Sequence, residues 1–270
     1  MKSNNDYKDE NVWLMYGDCV ERMKEIPDGS VDLTVTSPPY DDLRTYTGHL
    51  QSWGEDVWKK VLNELYRVTK KGGTVVWIVG DATVNGTETG TSFKQALYAM
   101  ELGFNLHDTM IWNKGCFSAV GALKTRYAPV FEYMFILTKG KIKTFNPIKD
   151  KPNKWAGDQR KHIYNRLPDG SMRKSSGNVV KEFGQRYNIW EQSPHRQKGD
   201  GKHPAPFPEK LSTDHIISWS NENDIILDCF MGSGTTGYSC IQNNRNFIGI
   251  EMVESYYYMS MKRMGVFHDK

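Results

Sequence analysis

The sequence predicts an α/β fold built on a mostly parallel sheet with helices on both faces. Three observations carry this. Short runs rich in β-branched residues alternate with stretches of helical period. Some runs, such as Thr74–Val79, are apolar throughout, as suits a strand covered on both sides. The first strands stop at Gly-Asp or at Pro-Pro, so their C-terminal ends enter loops. With 270 residues, 38% of them hydrophobic, the chain can bury one sizeable core, and one domain with an insertion is expected.

Trp13–Asp18 reads as a strand and turn, and Cys19–Ile26 as a short helix closed by Pro27-Asp28-Gly29. Val31–Thr36 is a buried strand stopping at Pro38-Pro39. Glu55–Lys71 has Val57, Val61, Leu65 and Val68 on one helical stripe, with Lys70-Lys71-Gly72 as its stop signal. The strand Thr74–Val79 follows. Thr91–Gly103 is a second helix, capped by Thr91 or Ser92, with Phe93, Leu97 and Met100 on its apolar face. Leu106–Trp112 and Phe131–Leu137 are further strands. Periodicity then weakens, and Gly140–Phe207 reads as an irregular insertion. Order returns with a helix at Glu209–Trp219, a strand at Asp224–Cys229, a helix near Thr235–Gln242, a strand at Phe247–Glu251 and a last helix from Glu254. Tyr256, Tyr257, Tyr258 and Met259 read as core or interface.

No apolar run reaches the ~20 residues that cross a bilayer, and Met1–Glu10 has no apolar leader core. A cytoplasmic protein is expected. Cys19, Cys116, Cys229 and Cys240 show no CxxC spacing, so reduced thiols and no metal site are expected. The net charge of +3 is uneven. Gly140–Phe207 has 15 Lys/Arg and 6 Asp/Glu, which leaves 20 and 26 for the rest. A basic segment on an acidic body suggests a polyanion contact, with a solvated basic loop as the alternative.

Asp224–Thr236 (DIILDCFMGSGTT) is a strand, a Gly232-x-Gly234 turn and a helix start. Glycines there let backbone approach a ligand, and the helix N-terminus favours an anion. A plain structural turn is the alternative. The turn lacks the Gly-Lys-Ser/Thr of a phosphate-binding loop. Glu251 ends the next strand, 17 residues after Gly234, where an acid can accept hydrogen bonds from ribose hydroxyls or cap a helix.

LDCFMGSGTT resembles the S-adenosylmethionine motif of amino-methylating DNA methyltransferases, and Thr36-Ser37-Pro38-Pro39-Tyr40 resembles their catalytic motif. The catalytic motif precedes the cofactor motif, an order similar to the permuted β class of that family. His203–Pro208 matches its cofactor-side motif. The resemblance spans Trp13–Met264. It implies a circularly permuted Rossmann-like methyltransferase sheet. Residues 11–139 would form the catalytic half, 140–202 the target-recognition insertion and 203–264 the cofactor-binding half. It also implies that the C-terminal strands lie beside the first N-terminal one.

For S-adenosylmethionine the resemblance implies this set. Phe230, Gly232 and Gly234 surround the methionine part, and Ser233, Thr235 and Thr36 also bind the cofactor. Asp228 lies near the amino group, and Glu251 takes the ribose hydroxyls. Asp18, with Cys19 adjacent, takes the adenine amino group. Pro204 and Phe207 close the pocket.

The lone pair of an exocyclic amino nitrogen is delocalised into its ring, so the nitrogen attacks poorly. Acceptors that hold the amino hydrogens make it more tetrahedral as it attacks a methyl group. Ser37 and the Pro38 carbonyl are the expected acceptors. Pro39 keeps the backbone rigid and Tyr40 stacks on a flipped base. Taken alone, SPPY is a rigid turn. Ser37 stands where many adenine-methylating relatives carry Asp, so cytosine N4 is expected, with adenine N6 as the alternative.

In the insertion, cations and aromatics such as Trp155, Arg166, Arg173, Lys174 and Tyr187 interleave, as suits a duplex DNA partner. No single residue is singled out as reading the sequence. A cognate restriction endonuclease, and either a monomer or a homodimer, stay open. The rivals are an RNA or protein amino-methyltransferase, disfavoured by the permuted order, and a binding module with a degenerate cofactor site.

Overall fold

The computed structural model describes residues 6–39, 53–115, 125–159, 162–194 and 208–266. In chain order come β1 (Tyr7–Lys8), β2 (Val12–Tyr16), α1 (Cys19–Met23), β3 (Val31–Thr36), α2 (Glu55–Val68), β4 (Thr69–Val79), β5 (Thr83–Val84), β6 (Thr87–Glu88), α3 (Thr91–Glu101), β7 (Asn105–Asn113) and β8 (Phe131–Thr138). Then follow β9 (Lys151–Pro152), β10 (His162–Arg166), β11 (Met172–Ser176), β12 (Phe183–Gly184), β13 (Ile189–Glu191), α4 (Glu209–Trp219), β14 (Ile225–Asp228), α5 (Thr235–Gln242), β15 (Asn246–Glu251) and α6 (Glu254–Met264). Two compact units result. One is Met1–Asn146 with Asn188–Lys270, the other Pro147–Tyr187.

The first unit is a nine-stranded sheet in the order β1-β2-β15-β14-β3-β4-β8-β7-β13. Strands β2, β15, β14, β3 and β4 run parallel. Strand β8 runs antiparallel to both β4 and β7. The sheet is thus parallel at its centre and mixed beyond β4. The two ends of the chain meet where β15 pairs with β2, from Phe247↔Val12 to Glu251↔Tyr16. Central strands are buried on both faces, as their unbroken apolar runs require: Leu33, Val35, Val75 to Ile78, Leu227 and Ile250 are all fully buried. Each such side chain contributes about 1.5–3 kcal/mol of burial.

Helix α1 ends at Met23, short of the expected Ile26, and two further helix boundaries differ from the sequence expectation. Helix α2 stops at Val68, because Thr69 turns to extended backbone and its hydroxyl donates to the Leu65 carbonyl at 2.6 Å. Lys70 then pairs with Asp32 of neighbouring β3 at 2.6 Å, so the apparent helix-stop cations begin a strand. Helix α3 is capped from outside itself. Gly90 is its N-cap, at φ +63°, and Asp81 accepts hydrogen bonds from the Ser92 N–H at 2.9 Å and its hydroxyl at 2.5 Å. Its buried face is Ser92, Gln95, Ala96 and Ala99, while Phe93, Leu97 and Met100 are exposed. Small residues let α3 pack closely on the sheet, and Gln95 accepts from the Trp77 indole at 2.9 Å. In α6, Tyr256 and Tyr257 belong to the core, and the Tyr257 hydroxyl donates to the Leu14 carbonyl at 3.2 Å.

The second unit is built of short strands where an irregular chain was expected. Strands β10 and β11 form an antiparallel hairpin, and β9 pairs with β12. Residues 140–146 and 188–194, on either side, belong to the first unit. Among the described residues no helix is long and apolar enough to cross a membrane.

Candidate functional site

From β14 the chain passes through α5 to β15 on one side, and from β3 through α2 to β4 on the other. Strands β14 and β3 are neighbours, so the winding reverses between them. Such a reversal opens a crevice at the C-terminal ends of the strands, where α/β sheets bind ligands. The glycine turn follows β14 there and Ser37-Pro38-Pro39 follows β3.

Thr36 and Asp228 end those two strands, and both are buried. The Thr36 hydroxyl donates to Asp228 Oδ1 at 2.7 Å and lies 3.8 Å from Cys229 Sγ. Asp228 Oδ1 also accepts the Phe230 N–H at 3.1 Å, and Oδ2 accepts the Thr236 hydroxyl at 2.7 Å. Burial raises the Asp228 pKa, while these donors work against that. One carboxylate therefore ties together the end of β3, the start of the turn and the first turn of α5. Thr236 was missed from the sequence, although it lies inside GTT; nothing in its spacing shows that it turns back to Asp228.

Gly232 and Gly234 both adopt positive φ, at +53° and +77°. A Cβ on Gly234 would lie 2.7 Å from Ser260 Cβ and 2.9 Å from its Cα, so α6 packs directly on the turn. Ser233 and Thr235 are buried, with their hydroxyl oxygens 3.5 Å apart.

Glu251, at the end of β15, is 8% exposed. Its Oε2 accepts the Gly232 N–H and its Oε1 the Val253 N–H, each at 2.8 Å. Burial pushes its pKa up to about 7; the backbone donors oppose this and the Asp228 charge adds to it. The carboxylate thus clamps the glycine turn and also serves the start of α6. The Gly17 N–H donates to the Glu251 carbonyl at 2.9 Å, which brings the loop after β2 to the same edge. Asp18 caps α1 there, Oδ1 accepting from Val20 N–H at 3.0 Å and Glu21 N–H at 3.1 Å. Cys19, Cys229 and Cys240 are buried, and burial pushes all three thiols up, so they stay protonated.

Ser37 is half-buried and Pro38 buried. The β3–β4 ladder reaches Thr36↔Trp77, and neither proline that follows has an N–H to extend it. Phe230 is flanked by two tryptophans, Trp53 edge-on at 5.3 Å and Trp77 at 6.5 Å. The sequence reading missed Trp53, whose Nε1 is buried with no hydrogen-bond partner among the described residues. Tyr40, Pro204 and Phe207 lie outside the described residues. Among the described residues no group of three or more His, Cys, Asp or Glu side chains could hold a metal ion.

Residues 31–262 match the N6/N4 family described as DNA methylase. The chain is 51% identical over 251 residues to the orphan methyltransferase M.BamHII of Bacillus amyloliquefaciens, covering 90% of this chain and 92% of that one. It is 32% identical over 268 residues to the DNA adenine methyltransferase YhdJ of Escherichia coli K12, covering 96% and 85%. Its fold is similar to that of the PvuII DNA methyltransferase (cytosine-N4-specific), with a TM-score of 0.71 at 21% identity over 97% of this chain and 88% of that one. The family match covers most of the chain and includes both motifs, so the chain belongs to the N6/N4 DNA methylases and is a DNA methyltransferase.

Proposed function

We propose that this enzyme methylates cytosine N4 in duplex DNA, with S-adenosylmethionine as the methyl donor. The observation that carries the reading is the Thr36–Asp228 hydrogen bond, which joins the base-accepting loop to the cofactor turn at one crevice.

The residues present fit the donor. The Glu251 carboxylate is buried with backbone N–H groups as its donors, so ribose hydroxyls suit its remaining acceptor sites. The unpartnered Trp53 indole N–H beside Phe230 suits an acceptor on the same ligand. Phe230, Gly232, Ser233, Gly234 and Thr235 would hold the methionine part, with Asp228 and Thr36 behind them. Asp18 and Cys19 would border the adenine, and Pro204 and Phe207 would close the pocket. When bound, S-adenosylmethionine supplies an electrophilic sulfonium methyl.

Ser37 and the Pro38 carbonyl then accept the two hydrogens of the target amino group. Holding them localises the nitrogen lone pair and aims it at the methyl carbon, a gain realised mainly in the transition state. The base leaves the duplex to reach this loop, and Tyr40 stacks on it. Stacking at about 1–3 kcal/mol offsets much of the unstacking cost. The proton released is shared with Ser37 and passes to solvent.

The unit Pro147–Tyr187 carries 10 Lys/Arg and 4 Asp/Glu and would meet the DNA as the core of the 140–202 target-recognition insertion. A two-stranded ribbon fits the major groove. In β10–β11, Tyr164↔Lys174 and Arg166↔Met172 share one face and Asn165↔Arg173 the other, all exposed. The one acid of the hairpin, Asp169, is held in the turn, accepting from Ser171 N–H at 2.9 Å and its hydroxyl at 2.6 Å.

Ser37 favours cytosine. Adenine N6 is the second reading, favoured by the 32% identity to an adenine methyltransferase. Duplex DNA methylated by the enzyme is digested to nucleosides and read by mass spectrometry. N4-methylcytosine is expected. N6-methyladenine would move the enzyme to the second reading, and label found only in RNA or protein would overturn both.

A further inference from the structure

The backbone ladder between β14 and β3 consists of Ile226↔Leu33 and Leu227↔Thr34, and ends there. Beyond it the two strands run on to Asp228 and Thr36. These residues carry the donor turn on one side and the acceptor loop on the other, and the Thr36–Asp228 bond between them joins side chain to side chain. That bond links the two strand ends at the point where the winding reverses.

Both partners are engaged by it. A threonine hydroxyl has one proton, and Thr36 gives its proton to Asp228. The carboxylate in turn accepts from Thr36, Phe230 and Thr236, and both residues are buried. The described hydrogen bonds thus take the one proton of Thr36 and three acceptor sites of Asp228 inside the protein. Each lies beside a proposed site residue along the chain: Thr36 directly before Ser37, and Asp228 two residues before Phe230.

Methyl transfer requires the nitrogen, the carbon and the sulfur to lie in line. A 1 Å misplacement of such a centre costs about 10²-fold in rate. We infer that Thr36 and Asp228 are a positioning pair that sets the acceptor loop against the donor turn, and that they act on the chemical step rather than on cofactor affinity. The inference rests on the reading of Ser37 and the glycine turn given above.

The same strand supplies its own control. Thr34 lies two residues before Thr36, also fully buried, and its hydroxyl has no hydrogen-bond partner among the described residues. Thr34→Val removes an unpaired hydroxyl at constant shape, whereas Thr36→Val removes a paired one and leaves Asp228 short of a donor.

The experiment measures kcat, KM for S-adenosylmethionine and the Kd of S-adenosylhomocysteine for wild type, Thr36→Val, Thr36→Ser and Thr34→Val, with a thermal melt of each. Thr36→Val is expected to lower kcat by about 10–100-fold with KM and Kd within about threefold, as a shift of up to about 1 Å implies. Thr36→Ser should restore kcat to within about threefold, since it returns the donor. Thr34→Val should match wild type in rate. If Thr36→Val raises Kd as much as it lowers kcat, or leaves kcat unchanged, the pair does not position the loops. If Thr36→Val fails to fold, Thr36→Ser decides: a hundredfold loss of kcat in that folded variant would equally overturn the inference. Wild-type enzyme that leaves DNA unmethylated would instead strike the function reading, so the two failures are distinguishable.

Discussion

The glycine turn after β14 and the hairpin β10–β11, the parts proposed above to meet cofactor and DNA, present their polar groups in opposite ways. At the turn almost every polar group is buried and paired within the protein: Asp228 holds three donors and Glu251 two backbone N–H groups. In the hairpin the polar groups point outward, and Tyr164, Arg166, Met172 and Lys174 are all exposed. On the proposed reading, the cofactor is met by a site fixed before it arrives, and the duplex by side chains that settle on it. Changes at the turn should therefore act through geometry and stability, and changes in the hairpin through charge, one increment at a time.

The largest effect is expected at the acceptor loop. Ser37→Ala should lower kcat by about 10²–10³-fold, the usual cost of one transition-state acceptor or donor, with cofactor affinity within about twofold. Single-turnover rates and equilibrium binding check this, and equal losses in both would place Ser37 in the cofactor site. Next is the turn itself. Gly234→Ala puts a Cβ against Ser260 at positive φ, and unfolding free energy should fall by about 2–3 kcal/mol in denaturant titration.

A pH dependence follows from Glu251. Ribose hydroxyls need the ionised carboxylate as acceptor, and its pKa stands at about 7. Affinity for S-adenosylhomocysteine should rise by about tenfold from pH 6 to pH 8, and Glu251→Gln should flatten the curve. The sign for stability is opposite. The folded pKa lies above the ordinary value of 4.5, so the contribution of this group is full below about pH 4.5 and is lost as pH rises through about 7. The ligand-free protein should melt progressively earlier across that window relative to Glu251→Gln. The smallest effect belongs to the hairpin. Lys174→Ala or Arg166→Ala should reduce the slope of log affinity against log salt by about one, without changing which sites are methylated. A cation whose loss leaves the slope untouched is not on the phosphates.

Most of the sheet was legible because its strands are apolar on both faces and its loops are marked by proline and glycine. Helices α5 and α6 and the strands around them begin where their glycines and acids announce them. What failed did so where a distant residue decided the local outcome. Lys70-Lys71-Gly72 looks like a helix stop until Asp32, on another strand, draws Lys70 into the sheet. Ser92 looks like a cap until Asp81 performs that role for it. Phe93, Leu97 and Met100 have the spacing of a buried stripe, yet the alanine face packs inward and the larger side chains stay exposed. At the site, the motif residues were named from their resemblance to a family and their order along the chain. The links between them were not, because Thr36 and Asp228 stand 192 residues apart.

That separation bears on how the molecule is made. Strand β3, near the start of the chain, gains its neighbour β14 only after nearly all the intervening residues have been synthesised, and β2 waits longer still for β15. Pairings this distant in sequence form late and slowly. On the reading proposed above, a nascent chain that carries Ser37-Pro38-Pro39 but not yet β14 still lacks the turn that would hold them.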